Sequence, residues 1–156
     1  MSIEETMQSM GLALPPPPSP VASYIPAVQA GNLIYVSGQL PFQNGVLTCA
    51  GRVPADLDEA AARDGAKLAA LNGLAAAKAV VGDLEQISRV VKVTGYVRSA
   101  DGFAGQPGVV NGASDLLVAL FGERGRHARA AVGVSELPLG AAVEIELILA
   151  VESSGH

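Results

Sequence analysis

Three charged side chains lie near the end of the chain in segments that are otherwise mostly apolar or small: Arg129, Glu144 and Glu146. A guanidinium can hold a carboxylate through paired hydrogen bonds, and a carboxylate can accept or donate a proton. The flanking segments 128–134 and 143–151 alternate in polarity, and a Pro/Gly turn at 137–140 separates them. This pattern predicts a β-hairpin that positions all three charges.

The predicted hairpin folds at residues 138–139, which would place Arg129 opposite Ile148. In this register Arg129 and both glutamates share one face. Charge on a buried face is costly unless it is paired or used. The alternative is a face that is simply exposed to water, as one side of an antiparallel sheet often is.

Arg129 and Glu144 would lie about 13 Å apart along such a hairpin, at the usual rise per residue. That separation is too long for a direct salt bridge. If the two residues share a site, we expect a subunit interface to bring them together. Composition favours association, because 49% of the residues are hydrophobic and only 16% are charged, so apolar area must stay outside or be buried between subunits.

The 156 residues have the size of one domain. The net charge of −5 and the presence of only six Phe and Tyr residues, with no Trp, argue against a nucleic-acid surface. No apolar run is long enough for a membrane span, and the acidic N-terminus does not resemble a secretory signal, so we expect a cytoplasmic protein. The lone Cys49 is expected to be a structural thiol, with neither a disulfide nor a metal partner.

The elements that must position the charged residues follow from hydrophobic spacing and from capping and turn residues. They alternate in the order β-β-α-β-α-β-β after a short N-terminal helix, which predicts an α+β domain. In chain order they are a helix over 2–10, an extended proline-rich arm over 15–20, strands over 33–38 and 46–49 joined by a turn at Gln43-Asn44-Gly45, a helix over 58–81, a strand over 89–98, a helix over 109–121 and the hairpin.

The two longer helices are expected to cover one face of the sheet. On the hairpin, that face is predicted to carry Val132, Val134, Ile145 and Leu147. The opposite face, with Arg129, Ala131, Ile148 and Ala150, would then be covered by another copy of the chain.

Several segments in combination resemble the reactive-intermediate deaminase family, the Rid or YjgF-type proteins, some of which carry the label endoribonuclease L-PSP. The resemblance implies a chorismate-mutase-like single domain over 1–156, with an N-terminal arm over 1–21 and a core over 22–152. It also implies a mostly antiparallel six-stranded sheet with two helices on one face, and a homotrimer with a central β-barrel and clefts between subunits. The matching segments are Ser23-Tyr24, Ile34 to Pro41, Val91 to Val97, Ala128-Arg129, Leu137-Pro138 and Val143 to Glu146.

Active members of that family hydrolyse enamines and imines such as 2-aminoacrylate and 2-iminobutyrate to 2-keto acids and ammonia, without a cofactor or metal. By resemblance, Arg129 is expected to hold the substrate carboxylate and Glu144 to position the water. The residues Tyr24, Gly38 and Asn111 match positions that line the family pocket, Asn111 only approximately.

The chain also departs from the family archetype. Ala131 stands where a cysteine is common, the segment 105–117 is longer, and the arm is additional. These features resemble a longer, divergent branch of the family whose substrate the sequence does not assign.

Five nearby polar residues have either two interpretations or a single structural one. We expect His127 to be a histidine at the start of the strand that points away from Arg129, with a second proton carrier as the alternative. Asn111 and Ser114 could contact a ligand or cap a helix. Asp115 is expected on the exposed face of the helix, and Glu146 is expected to be an interface or surface partner.

The sequence therefore predicts a cofactor-free deaminase of small imine and enamine carboxylates. One alternative is a trimeric protein that binds keto acids or similar metabolites and regulates a partner without turnover. Another is an endoribonuclease or translation inhibitor, against which the acidic balance argues.

Overall fold

The computed structural model describes residues 1–20 and 22–152. Val21 belongs to the predicted arm over 1–21, and residues 153–156 belong to the predicted domain over 1–156; both lie outside the described residues. Within the described part, none of the helices combines the length and the apolar character that a bilayer crossing requires.

The helices begin and end at the capping residues that the sequence offers. Ser2 and Glu5 form a reciprocal capping box, and the Asp58 side chain accepts a hydrogen bond from the backbone of the second helix. Gly82 ends that helix with a φ of 86°, which favours glycine. The first two predicted helices are confirmed, and the third begins three residues earlier than expected. The helices are α1 (Ile3–Ser9), α2 (Glu59–Val81) and α3 (Gln106–Phe121).

In the part of the chain that the structure describes, seven strands form two sheets. The five-stranded sheet has the order β1-β2-β7-β5-β6, and β3 pairs only with β4 in a separate hairpin. The pair β5–β6 is parallel, whereas the other pairs are antiparallel. The strands are β1 (Ala27–Ala30), β2 (Leu33–Gln39), β3 (Phe42–Gln43), β4 (Val46–Leu47), β5 (Ile87–Arg98), β6 (Ala128–Val134) and β7 (Val143–Val151).

The prediction of one six-stranded, mostly antiparallel sheet is therefore wrong in strand number. The predicted turn at Asn44-Gly45 is confirmed, and both residues have positive φ, 52° and 78°, as a two-residue hairpin turn requires. The turn joins β4 to β3 and not, as predicted, to the strand over 33–38. That hairpin turns away from β2 and leaves the main sheet. The additional edge strand β1 was not predicted.

The predicted hairpin of the last two strands is also wrong. Strand β5 lies between β6 and β7 and pairs with both. The connection from β5 to β6 contains α3, and a helical crossover of this length returns the chain parallel to the strand it left. Alternating polarity identified both strands correctly, but it carries no information about which strand is the neighbour.

Register decides which face each side chain occupies. Val93 of β5 pairs with Arg129 on one side and with Leu147 on the other. Arg129 therefore lies on the face of Leu147, which α2 and α3 cover. Since Val132 is three residues beyond Arg129, it lies on the open face, contrary to the prediction, and is 43% exposed.

The core lies between the five-stranded sheet and the layer of α2 and α3. Alanine and glycine on α2 let this helix approach the sheet closely: a β-carbon placed on Gly73 would lie 3.0 Å from the Leu147 side chain. The helix α1 adds Ile3 and Met7 to the core. Its Glu4 forms an ion pair with Lys78 of α2 at 2.8 Å.

A buried amide holds the corner at which the chain leaves the main sheet. Asn72 of α2 donates from Nδ2 to the backbone oxygens of Leu40 and Phe42, each at 3.0 Å. Leu40 lies in the connection between β2 and β3, and Phe42 is the first residue of β3. Their alignment sets the position of the end of β2, where Gly38 lies.

We predict that Asn72→Leu lowers the free energy of unfolding by about 1–3 kcal/mol, because two carbonyl groups lose their donor. Denaturant unfolding of the purified protein measures the change. The matched control is Asn32→Leu, at an exposed position, which should change stability by no more than about 0.5 kcal/mol. Equal stability of the two variants would contradict the anchoring role.

Candidate functional site

Arg129 lies on the edge strand β6 and reaches α3. Its Nη1 donates to Asn111 Oδ1 at 2.7 Å and to Ser114 Oγ at 3.3 Å. Asn111 and Ser114 are three residues apart on a helix and therefore share a face. We call Arg129, Asn111 and Ser114 the anion half-site.

The guanidinium of this half-site is half-buried, and its two hydrogen-bond partners are neutral. Across residues 1–20 and 22–152, no carboxylate forms an ion pair with Arg129, and no hydrogen bond uses its Nε or Nη2. A partly desolvated cation favours an anionic partner. The Nε–Nη2 edge has the geometry to hold a carboxylate through two parallel hydrogen bonds.

His127 joins this half-site, contrary to the prediction that it points away from Arg129. Residues two apart in extended chain lie on the same side, so the expected orientation was wrong on parity alone. His127 Nε2 lies 2.8 Å from Ser114 Oγ, and its Nδ1 lies 2.6 Å from the Gly125 carbonyl oxygen.

Glu144 lies on β7 and on the opposite, open face of the sheet, where it pairs with Tyr96. It is packed against Gly38 of β2: a β-carbon there would lie 2.7 Å from Glu144 Cδ. Glycine at this position therefore leaves room for the carboxyl group. The irregular register between Val36 and Gln39 brings this part of β2 against β7.

The segment that carries Tyr24 runs beside the same end of β2. Ser37 donates from its backbone nitrogen to Pro26 O at 2.8 Å and from Oγ to Ile25 O at 2.9 Å. The ring of Tyr24 is 56% exposed. We call Tyr24, Gly38 and Glu144 the acid half-site.

The electrostatic environment separates Glu144 from Glu146. Burial, with the nearby Glu146 charge as a second cause, raises the pKa of Glu144 above its ordinary value. Glu146 accepts a hydrogen bond from the Tyr96 hydroxyl at 2.8 Å, and this bond is the main cause of the raised pKa of Tyr96. Glu144 is therefore the glutamate better suited to carry a proton.

The five predicted site residues thus fall into two groups that do not meet within one chain. Arg129 lies on the helix side of β6 and Glu144 on the open side of β7, with β5 between them. Two strand spacings alone separate them by about 10 Å across the sheet. The prediction that Arg129 and both glutamates share a face is wrong, because it assumed the hairpin.

Sequence reasoning found Arg129 and Asn111 but missed how they are held. Asn111 lies well inside α3, which excludes helix capping as its role. The signal that could have linked Ser114 to it was the three-residue spacing on one helix. Asp115 is exposed, as predicted, whereas nothing in the sequence indicated the bond between Tyr96 and Glu146.

A cavity lies apart from both half-sites. It has a volume of about 1120 Å³ and separates the N-terminal arm from α2 and the β3–β4 hairpin. None of the five predicted site residues lines it. Because the half-buried cation with a vacant hydrogen-bonding edge lies elsewhere, we place the candidate site at the half-sites.

Comparison with known proteins identifies relatives over nearly the whole chain. Residues 4–150 match a family described as "YjgF/chorismate_mutase-like, putative endoribonuclease". The chain is 41% identical to Protein TCP17 of Trypanosoma cruzi over 94% of this chain and 92% of that protein. It is 33% identical to the 2-iminobutanoate/2-iminopropanoate deaminase of Dermatophagoides farinae, over 90% of this chain and 95% of the relative.

A crystal structure of a protein of unknown function from Agrobacterium tumefaciens has the same fold. Its TM-score is 0.91 at 46% identity, and the alignment covers 96% of this chain and 92% of that one. The predicted family and its chorismate-mutase-like α+β fold are thereby confirmed.

We predict that Glu144→Gln raises the melting temperature at neutral pH. The raised pKa means that the folded chain binds this proton more tightly than the unfolded chain, so the associated stability is present below the ordinary value of 4.5 and is lost as pH rises through the raised pKa. Glutamine cannot ionise and avoids that loss. The increase in melting temperature should therefore disappear below about pH 4.

Differential scanning calorimetry across this pH range measures the effect. Glu152→Gln, at an exposed carboxyl beyond the end of β7, is the matched control and should show no comparable gain. A Glu144→Gln variant that melts at or below the parent temperature at pH 7 would contradict the assignment.

Proposed function

This chain belongs to the YjgF/chorismate-mutase-like family, and on that premise we propose that it hydrolyses small imine and enamine carboxylates to 2-keto acids and ammonia. The family match and the 33% identity to a protein named 2-iminobutanoate/2-iminopropanoate deaminase support this reaction class. The substrates that this proposal covers are small 2-imino acids and their enamine tautomers, such as 2-iminobutyrate and 2-aminoacrylate.

The observation that carries the proposal is the vacant edge of Arg129. Its Nη1 donates to Asn111 at 2.7 Å and to Ser114, which leaves Nε and Nη2 available to donate to a ligand. A planar carboxylate fits that edge as a bidentate partner. All the proposed substrates carry this group beside the reacting carbon.

We further propose that the complete site forms between copies of the chain, in a trimer with a central β-barrel. One copy would supply the anion half-site and its neighbour the acid half-site. Support comes from the placement of these half-sites on opposite faces of one sheet. The open face also exposes Tyr35 (44%) and Val132 (43%), and such apolar area favours contact with another copy.

In the proposed mechanism, Arg129 holds the substrate carboxylate and so fixes the position of the C=N carbon. An enamine first gains a proton on carbon to become the imine. Glu144 of the neighbouring copy orients a water molecule, takes a proton from it as the C–O bond forms, and returns the proton to nitrogen. The C–N bond then breaks as the hydroxyl proton of this adduct passes by way of Glu144 to the departing nitrogen, and ammonia and the 2-keto acid leave.

Glu144 suits this proton shuttle because burial raises its pKa. A carboxyl group with a raised pKa accepts a proton more readily during the reaction than an ordinary one. Each step uses only acid–base chemistry at carbon and nitrogen, so the proposal invokes no cofactor and no metal.

A keto-acid-binding protein without turnover is the second candidate. The same Arg129 edge supports it, because carboxylate binding does not itself require Glu144. Turnover distinguishes the two: the second candidate would bind 2-ketobutyrate through Arg129 and leave the hydrolysis rate of 2-iminobutyrate unchanged.

We predict that the parent protein accelerates 2-ketobutyrate release from 2-iminobutyrate, generated in place by a dehydratase acting on threonine, and that Arg129→Ala abolishes most of this acceleration. Loss of a desolvated carboxylate partner costs about 2–4 kcal/mol, which is about 30- to 1000-fold in kcat/KM. The matched control is Arg126→Ala, which removes the same charge from a side chain that is 70% exposed. Equal loss in both variants would reject Arg129 as the anchor.

We predict that two inactive variants restore activity when they are mixed after dissociation and reassembled together. If a site takes Arg129 from one copy and Glu144 from its neighbour, Arg129→Ala and Glu144→Gln chains form intact sites at their shared boundaries. Random mixing in a ring gives about one quarter of the sites intact. No recovery in assemblies that mass spectrometry shows to be mixed would contradict a site between copies.

A further inference from the structure

Ser114 and His127 continue a series of hydrogen bonds behind Arg129 that the proposed reaction does not use. We call it the hydrogen-bond series. Ser114 Oγ lies 3.3 Å from Arg129 Nη1 and 2.8 Å from His127 Nε2. His127 Nδ1 lies 2.6 Å from the Gly125 carbonyl oxygen. The hydrogen-bond series thus runs from the Arg129 guanidinium to the Gly125 carbonyl group.

The positions of the hydrogen atoms in the hydrogen-bond series can be assigned from its two ends, the Gly125 carbonyl and the Arg129 guanidinium. A carbonyl oxygen only accepts, so Nδ1 of His127 must carry a hydrogen and donate it to Gly125. In the neutral ring Nε2 is then an acceptor, and it receives the hydroxyl hydrogen of Ser114. That leaves a lone pair of Ser114 Oγ for the hydrogen donated by Arg129.

Packing holds the Gly125 end of the hydrogen-bond series in place. Gly125 is buried, and a β-carbon at this position would overlap the carbonyl group of Leu117 in α3. Its backbone therefore fits closely against α3, and the carbonyl that orients His127 cannot move freely. A serine hydroxyl without such a partner rotates among several acceptors.

We infer that Ser114 and His127 are positioning residues that set the plane of the Arg129 guanidinium. Asn111 and Ser114 occupy both hydrogens of Nη1, so the Nε–Nη2 edge has one orientation, toward the substrate carboxylate. This inference rests on the proposed function and deepens it. His127 acts on the ligand only through Ser114 and Arg129.

Two substitutions of His127 test separately its hydrogen bond to Ser114 and its hydrogen bond to Gly125. In His127→Gln the amide oxygen reaches the position of Nε2 and still accepts from Ser114. In His127→Asn the shorter amide reaches the position of Nδ1 and keeps only the bond to Gly125. Ser114→Thr keeps the hydroxyl, and Ser114→Ala removes it.

The affinity for 2-ketobutyrate, measured by calorimetry, tests the inference. His127→Asn and Ser114→Ala should weaken binding about tenfold, the equivalent of one charge-assisted hydrogen bond. His127→Gln and Ser114→Thr should stay within about threefold of the parent. The neutral 2-oxobutanamide should bind all five proteins alike, which a general loss of structure would not produce.

In the deaminase assay the weakened variants should raise KM more than they lower kcat, because they impair anchoring rather than proton transfer. Parent-like affinity in His127→Asn and Ser114→Ala would overturn the positioning role. An equal defect in His127→Gln and His127→Asn would overturn the part assigned to Nε2. With either result, the proposed role of Arg129 as the carboxylate anchor is kept if Arg129→Ala alone loses the binding of 2-ketobutyrate.

Two measurements do not depend on any ligand. Nitrogen-15 spectra should show the Nδ1-protonated form of His127, and the Nη hydrogens of Arg129 should exchange faster with water in Ser114→Ala than in the parent. The Nε2-protonated form, or unchanged exchange, would overturn the inference. If neither the parent nor Arg129→Ala responds to 2-ketobutyrate or turns over the imine, the proposed function fails instead.

Discussion

The parallel pairing of β5 with β6 is the constraint on which the site depends. It sets Arg129 beside Val93 and so on the face that α3 covers, where Asn111 and Ser114 can reach the guanidinium. An antiparallel hairpin of β6 with β7 could place the same arginine on the other face, without these partners. Because β5 also pairs with β7, the same strand fixes Glu144 on the open side. One strand therefore separates the anion half-site from the acid half-site.

Because of this separation, the proposed site requires the open face as well as the face that the helices cover. A cation with an unused hydrogen-bonding edge and a carboxyl group beside a glycine would each be incomplete as a site alone. Opposite faces of one sheet cannot converge on a small molecule, whereas the open face of one copy can meet the edge of another. In the proposed trimer, association would therefore create the reaction centre in addition to burying apolar area.

The parts that the sequence predicted are those that local chemistry decides. Capping residues such as Ser2 and Asp58 marked helix starts, and Asn44-Gly45 marked a hairpin turn, because their effect extends over only a few residues. Strand partners were not predicted correctly, since alternation in 128–134 is the same whether the neighbour is β5 or β7. The error in register then moved Arg129 to the wrong face. The resemblance to a family predicted candidate site residues but not the half-site to which each belongs.

The two glutamates of β7 show how neighbouring residues of one type acquire different roles. Both lie on the open face, two positions apart. Glu146 accepts a hydrogen bond from the Tyr96 hydroxyl at 2.8 Å. Glu144 is instead partly desolvated beside Gly38, and the negative charge of Glu146 adds to the rise of its pKa. Glu146 thus raises the pKa of Glu144 as an electrostatic neighbour that the Tyr96 hydroxyl holds in place.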